Sequence, residues 1–208
     1  MSFWFGDESR LQAHDEEYLE ERNRKWWGFG PPDQDFVDTQ MAAKGLMEQA
    51  ANDELKSGDW EGPRGALARV LLLDQFPRTV YRGTPKAFGT DEKASKLAVE
   101  IITKGWDKLG GELFPFHRTF LNMPLMHSEL LSSQELSVQK SQELYDEQVA
   151  AGHKMTPLDI AFDHRDVIAK FGRFPHRNTA LGRKSTPEEL EWLNSDDLPG
   201  WAKSQQTT

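Results

Sequence analysis

The stretch RGALARVLLLDQFPR, residues 64–78, decides the fold. Its apolar side chains cover most of the circumference of a helix, which is typical of a central helix that packs on several sides. We therefore predict a buried helix over residues 64–76 that ends close to Pro77. Asp74 and Arg78 lie at its end, and both need partners, because an unpaired buried charge is very costly.

Helical patterns surround this segment. In TDEKASKLAVEIITKG, residues 90–105, apolar residues recur at the spacing of an amphipathic helix. Thr90 is placed to cap the start of this helix, and Gly105 is placed to close its end. Further helices are predicted over residues 9–26, 36–58 and from Ser132 to about Gly152.

Two more helices are predicted from their end signals. Thr156 and Pro157 suit the first positions of a helix that stops at Gly172. Thr186 and Glu189 have the spacing of a capping box, which predicts a second helix start. No window alternates apolar and polar residues as a half-buried strand does, so the predicted fold class is all-α.

The chain is expected to form a single domain, residues 1–208, because no long Gly/Ser-rich or Pro-rich linker divides it. Seven Trp and twelve Phe argue against disorder, and only the tail at residues 202–208 is predicted to fray. Cysteine is absent, which excludes disulfides and thiol catalysis.

The composition also bears on partners. A formal net charge of -9 argues against nucleic acid, since a phosphate backbone requires a basic surface. The longest aliphatic run, VLLL at residues 70–73, is too short to span a membrane. The first ten residues lack the pattern of a secretory signal. We therefore expect a soluble, cytoplasmic protein with no nucleic-acid or membrane partner.

Positive charge is concentrated in AKFGRFPHRNTALGRKST, residues 169–186, which holds no carboxylate. A second acid-free stretch, residues 76–89, adds further basic side chains. One interpretation is a pocket for a small anionic ligand, because the planar guanidinium suits bidentate recognition of carboxylate or phosphate. The alternative is that the arginines cap helix ends and pair with acids of the chain itself. The residues predicted to bind the ligand are Asp74, Arg78, Arg82, Arg173, His176, Arg177 and Asn178.

His164 lies on the apolar stripe of its helix, four residues after Ile160 and four before Ile168, so we predict that it is buried. Burial shifts the pKa of an imidazole and can suit it for proton transfer. Asp166 faces away and is expected to pair with Lys170. The alternative is a core histidine satisfied by one carboxylate or carbonyl.

The segment NMPLMHSEL, residues 122–130, contributes further titratable groups. If it is extended, His127 and Glu129 point the same way and form an acid–base pair. Ser128 is not expected to be a nucleophile, because adjacent side chains cannot form a triad. We predict His127, Glu129 and His164 as catalytic residues. No cofactor is predicted; the scattered histidines give only a weak signal for a divalent metal, which stays an alternative.

Four motifs together resemble the domain-of-unknown-function 924 family: FWFG at residues 3–6, LLLDQFPRTVYRGTPKAFGTD at 71–91, PLMHSE at 124–129, and HRDVIAKFGRFPHRNTALGRKSTPEELEWL at 164–193. The match covers residues 3–193. The resemblance implies an all-helical array of antiparallel helix hairpins, related to tetratricopeptide (TPR) folds. It implies no established catalytic residues.

Two functions are therefore expected from the sequence. The first is a protein with a polar cleft that binds a small carboxylate or phosphate ligand, with acid–base or hydrolytic chemistry as its possible activity. The second is a TPR-like module that binds a peptide or protein without catalysis. A third interpretation makes the same residues a purely structural ion network. The sequence leaves the substrate and the oligomeric state open.

Overall fold

The computed structural model describes residues 1–28, 33–153 and 158–204. Within these ranges the secondary structure is helical and contains no strand, which confirms the all-α prediction. Twelve α-helices lie in the described ranges: α1 (Ser2–Phe5), α2 (Glu8–Gln12), α3 (Glu16–Trp27), α4 (Gln34–Ala42), α5 (Lys44–Ala51), α6 (Gly62–Val80), α7 (Asp91–Thr103), α8 (Pro115–His127), α9 (Leu131–Ala150), α10 (Asp159–Phe171), α11 (Pro187–Leu193) and α12 (Gly200–Lys203).

Helix α6 is the central helix of the fold, as its sequence predicts. It packs against α4, α5, α7 and α8, and the consecutive residues Leu71, Leu72 and Leu73, which point to different sides of the helix, are all buried. Consecutive helices contact one another from α5 to α10. This order is compatible with an array of helix hairpins, and the closer likeness to TPR proteins stays a prediction.

The predicted end of the central helix was wrong, because α6 continues through Pro77 to Val80. A proline inside a helix has no N–H to donate to the carbonyl four residues earlier, here that of Leu73. The hydroxyl of Thr90 donates to the Leu73 carbonyl oxygen at 2.5 Å and replaces the missing bond. Thr90 makes no side-chain cap to α7, so its predicted capping role was also wrong.

Other helix ends differ from the predictions for local reasons. The predicted helix over residues 9–26 is divided, because Asp15 caps α3 by accepting from the amide of Tyr18. The predicted helix over residues 36–58 ends early and is divided at Ala43. Helix α9 starts at Leu131 without a side-chain cap, so Ser132 does not open it.

Two of the predicted end signals can be compared directly with the structure. Gly172 closes α10 in the left-handed conformation, with a φ of 68°, and the capping box of Thr186 and Glu189 is present at α11. Both predictions are confirmed. The predicted cap of α10 at Thr156 and Pro157 lies outside the described residues, and α10 begins at Asp159.

Two groups of apolar side chains hold the helices together. The larger contains α6 and an aromatic cluster that includes Trp4, Phe5 and Phe120. The smaller group joins α10 to the acid-free stretch at residues 169–186, here called the basic loop, and to α12; it includes Ile168, Phe174 and the partly buried Trp201. The predicted fraying therefore does not reach residues 202 and 203, which belong to α12. None of the described helices is long and apolar enough to cross a membrane.

Candidate functional site

Five of the predicted site residues meet where four segments come together. Helix α6 contributes Asp74 and Arg78, the last turn of α8 contributes His127, and α10 contributes His164. The short 3-10 helix at residues 175–177 contributes Arg177. Helix packing therefore brings together residues that are far apart in the sequence.

Asp74 is the buried anchor of this site, with a side chain that is 0% exposed. Its Oδ1 lies 2.8 Å from Nδ1 of His127 and 3.2 Å from Nη1 of Arg78. Burial alone would raise the pKa of the Asp74 carboxyl, but the charge of Arg78 and the contact with His127 outweigh it and lower the pKa to about 2. Asp74 is therefore an ionised carboxylate near neutral pH.

Oδ1 of Asp74 is an ionised oxygen and can only accept the hydrogen bond from Nδ1 of His127. In neutral His127 the proton therefore lies on Nδ1 and the lone pair lies on Nε2. Burial, followed by the charge of Arg78, lowers the pKa of His127. The residue is 7% exposed, and no described residue makes a hydrogen bond to its Nε2 atom. His127 is thus a neutral, oriented imidazole whose Nε2 lone pair is not used by any described residue.

His164 is buried, as predicted, and is 5% exposed. Its Nδ1 lies 2.7 Å from the carbonyl oxygen of Ile160, so Nδ1 carries the proton here as well. The ring centroids of His164 and His127 are 6.3 Å apart, and the ring of Trp201 stacks on His164 at 3.8 Å. Burial, with a smaller contribution from His127, lowers the pKa of His164 to about 3.

Two guanidinium groups lie beside the imidazoles. Arg78 and Arg177 each donate to Oδ2 of Asp91 at 3.0 Å. Arg177 lies between the rings of Phe88 and Phe174, with its guanidinium carbon 4.7 and 4.4 Å from their centroids. Burial lowers the pKa of Arg177 to about 10, which leaves it charged near neutral pH. Of the two interpretations of the basic residues, internal pairing therefore describes Arg78 and Arg177.

Glu129 is not directed at His127. Its oxygens accept from Arg183 at 2.8 and 3.0 Å, and its Oε1 also accepts from the amide of Phe174 at 2.8 Å. His127 is the last helical residue of α8, so the extended segment on which their pairing was predicted begins only at Ser128. Asp74 occupies the position beside His127 that the sequence assigned to Glu129.

The remaining basic-loop residues mainly hold the loop in place. Arg173 pairs with Glu189, with the closest atoms 2.6 Å apart, and Asn178 donates to Ser185 and Glu189. His176 is buried, with its ring centroid 5.3 Å from that of Trp201.

Arg82 differs from these residues because it is exposed. Its hydrogen bond, to the carbonyl oxygen of Ser204 at 3.1 Å, uses Nη1. The predicted pair of Asp166 and Lys170 does not form; Asp166 contacts Arg165, and Lys170 contacts Glu188.

Two residues of this site were not predicted. In the sequence, Asp91 looks like an ordinary acidic residue in the first turn of a helix. This pattern does not reveal that its carboxylate pairs with both Arg78 and Arg177. Trp201 lies next to the stretch predicted to fray.

The described residues contain no group of three or more His, Asp or Glu side chains placed to hold a metal ion. Chemically, the site offers two neutral imidazoles and two guanidinium groups, which are paired with two buried carboxylates, Asp74 and Asp91.

Comparisons with known proteins agree with the fold. A family model described as "Bacterial protein of unknown function (DUF924)" matches residues 1–197. A solved structure of a protein of unknown function from Agrobacterium tumefaciens is similar, with 34% sequence identity and a TM-score of 0.68. The alignment covers 90% of this chain and 99% of that chain. No curated protein matches.

Proposed function

The chain belongs to the DUF924 family of bacterial proteins, as its motifs predict, and since the family description names no activity, we propose a function from the site itself. The proposed function is acid–base catalysis on a small anionic molecule by His127, with His164 as the second proton-handling group. Asp74, Arg78 and Arg177 position and polarise these groups.

The pair of Asp74 and His127 is the observation that carries this proposal. A buried carboxylate that accepts from Nδ1 fixes one tautomer and one ring orientation, and it stabilises the imidazolium that forms when Nε2 takes a proton. The lowered pKa keeps His127 neutral near pH 7, the state in which it can act as a general base. It would take a proton from the substrate or from a water molecule.

His164 extends the pair to a three-residue arrangement. Its Nε2 also lacks a hydrogen bond from the described part of the chain, while Nδ1 is fixed by the Ile160 carbonyl. Two neutral imidazoles at a centroid distance of 6.3 Å can contact the same small molecule. One can remove a proton while the other accepts a hydrogen bond from a substrate hydroxyl or from water.

Arg82 supports an anionic substrate. The charges of Arg78 and Arg177 lie next to His127, but Asp74 and Asp91 neutralise them. Arg82 is exposed and its recorded hydrogen bond is to a backbone carbonyl, so its remaining donors can meet an incoming carboxylate or phosphate.

Access to the imidazoles is controlled by α12. Trp201 covers one face of His164, and the carbonyl of Ser204 accepts from Arg82. Helix α12 is only four residues long, and it is attached to the rest of the fold through Trp201 and the buried Ala202. Displacement of Trp201 would open the face of His164 to a ligand.

A panel of small carboxylates and phosphate monoesters in deuterated water tests the proposal. Proton NMR spectra would detect either exchange of a substrate C–H for deuterium or formation of a hydrolysis product. We expect at least one compound to react, and we expect His127→Gln to abolish the reaction. His14→Gln is the matched control, because His14 lies in the turn between α2 and α3, outside the site.

Retention of the reaction in His127→Gln would contradict the proposal. So would a panel in which no compound reacts with a folded protein after α12 has been opened by Trp201→Ala. Circular dichroism of each variant establishes that it is folded.

A further inference from the structure

A cavity of about 840 Å³ lies between the α5 side of the molecule and α7, with α6 as its floor. None of the residues assigned above to the acid–base site lines it. We propose that this cavity binds a small ligand that combines a carboxylate or phosphate with a planar aromatic body. Arg69 binds the anionic group, and Trp60 and Trp106 contact the aromatic body.

Arg69 is the first reason for this assignment. It is the only arginine of the described ranges that makes no hydrogen bond, ion pair or ring contact with another described residue. It is half-buried, and its Nε atom is enclosed without an acceptor. An enclosed donor without a partner is costly, and a planar anion supplies the two parallel acceptors that a guanidinium favours.

The other charges around the cavity leave it positive. Lys93, Lys96 and Lys104 are each paired with an acid that also lines the cavity, namely Asp53, Glu92 and Glu100. The charges of Lys56 and Arg69 also act on Asp53, and Glu61 is the fourth acid of the lining. Five basic and four acidic side chains therefore leave one excess positive charge in a protein whose net charge is -9. A local cationic site in an acidic protein attracts small anions rather than polyanions.

Two tryptophans and an apolar floor define the rest of the ligand. Trp60 and Trp106 line the cavity and are half-buried, while Leu73 and Leu97 below them are buried. Half-buried aromatic faces stack with planar rings at centroid distances of roughly 4.5–7 Å. The volume lies within the roughly 300–1,000 Å³ of small-molecule sites.

Gly65 fixes the position of Trp60. A Cβ atom on Gly65 would lie 2.4 Å from the backbone carbon of Trp60 and 2.5 Å from the backbone oxygen of Asp59. Only glycine therefore allows the 3-10 helix at residues 58–60 to pack directly on α6. The backbone of Trp60 is thus held at the cavity wall by its packing on α6.

Calorimetric titration with 2-naphthoate tests the inference, with 2-naphthalenemethanol as the neutral counterpart. We expect naphthoate to bind and the alcohol to bind at least about tenfold more weakly, since only the carboxylate can accept a charge-assisted, bidentate pair of hydrogen bonds from Arg69. Arg69→Gln should weaken naphthoate binding about tenfold. The matched control is Arg24→Gln, because Arg24 lines a separate cavity of about 750 Å³ beside α3.

The indole N–H signals in NMR spectra of the unmodified protein provide a test that needs no variant. Naphthoate should shift the signals of Trp60 and Trp106 and leave that of Trp201 unchanged. Absence of binding, equal binding of the neutral alcohol, or binding that Arg69→Gln does not weaken would overturn the inference. His127→Gln should bind naphthoate normally; loss of binding there would instead place the anion at the acid–base site.

Discussion

Nδ1 of His127 lies 2.8 Å from Oδ1 of Asp74, although 53 residues separate them in the sequence. The contact joins the end of α8 to the middle of the central helix, in a position from which solvent is almost excluded. It sets the tautomer of His127 and supplies a partner for the fully buried carboxylate. Structure and proposed chemistry therefore depend on the same pair of atoms.

Asp74→Asn should destabilise the protein by about 3 kcal/mol, since removal of one charge from a buried pair leaves the other uncompensated. Arg78 would keep only Asp91 as its acidic partner. Urea denaturation monitored by circular dichroism measures the free energy of unfolding. Asp53→Asn is the control: Asp53 is an exposed acid paired with Lys93, so its replacement should lower the free energy of unfolding much less. Equal losses in the two variants would contradict the role assigned to Asp74.

The same carboxylate predicts a loss of stability in acid. The pKa of Asp74 is about 2 in the folded protein against 3.8 as the reference value, so folding favours the ionised form. Its contribution is present above the unfolded pKa and is lost as the pH falls from 3.8 toward 2. Unfolding free energies measured through this window should fall less steeply for Asp74→Asn than for the unmodified protein. Parallel curves would contradict the prediction.

From the burial of His164 we predict a second pH dependence of the stability, at higher pH than that of Asp74. Its folded pKa of about 3 lies below the reference value of 6.5, so between these values the unfolded chain holds a proton that the folded chain does not. Stability should therefore fall as the pH is lowered below 6.5, by up to about 1.4 kcal/mol per pH unit from this residue. His164→Gln should give a shallower slope between about pH 6.5 and about pH 5. An unchanged slope would show that His164 is not buried in its neutral form.

Glu129 is expected to fix the basic loop rather than to catalyse. Its Oε1 accepts from the amide of Phe174, and both its oxygens accept from Arg183. Glu129→Ala should speed hydrogen exchange of the Phe174 amide by about tenfold or more, because the loop loses its acceptor. Glu129→Gln is the matched variant, since it keeps an amide oxygen and should retain part of the protection. Similar exchange in all three proteins would contradict this role.

Trp201 is expected to protect His164 from reagents in solution. Diethyl pyrocarbonate modifies neutral imidazole, and mass spectrometry of peptides reports which histidines react. Trp201→Ala should increase the modification rate at His164 by roughly tenfold, because the stacked indole ring no longer covers the imidazole. A tenfold increase corresponds to a decrease of about 1.4 kcal/mol in the free energy needed to expose His164. The rate at His14 should stay the same. Fast modification of His164 in the unmodified protein would show that α12 is not a cover.

Features set by local sequence could be predicted well. The buried character of α6 follows from apolar residues on all sides of one segment, and the capping box of Thr186 and Glu189 lies within four residues. The burial of His164 follows from its position on the stripe of α10. Each of these depends on helix geometry alone, which the sequence carries directly.

Features set by contacts across the fold could not be predicted. The continuation of α6 past Pro77 depends on the hydroxyl of Thr90, which reaches the Leu73 carbonyl only after α7 has packed. The partner of His127 was assigned to Glu129, two residues away, whereas helix packing supplies Asp74 instead. Nothing in the local pattern around Asp91 reveals its contact with Arg177, 86 residues later.

The tautomer of His127 tests the central claim most directly. Nitrogen–proton correlation NMR spectra of a protein labelled with ¹⁵N in histidine distinguish a protonated ring nitrogen from one with a lone pair. For His127 near pH 7 we predict a proton on Nδ1 and a lone pair on Nε2, with loss of this preference in Asp74→Asn. A proton on Nε2, or on both ring nitrogens at that pH, would contradict the account, because His127 would then have no lone pair available to act as a base.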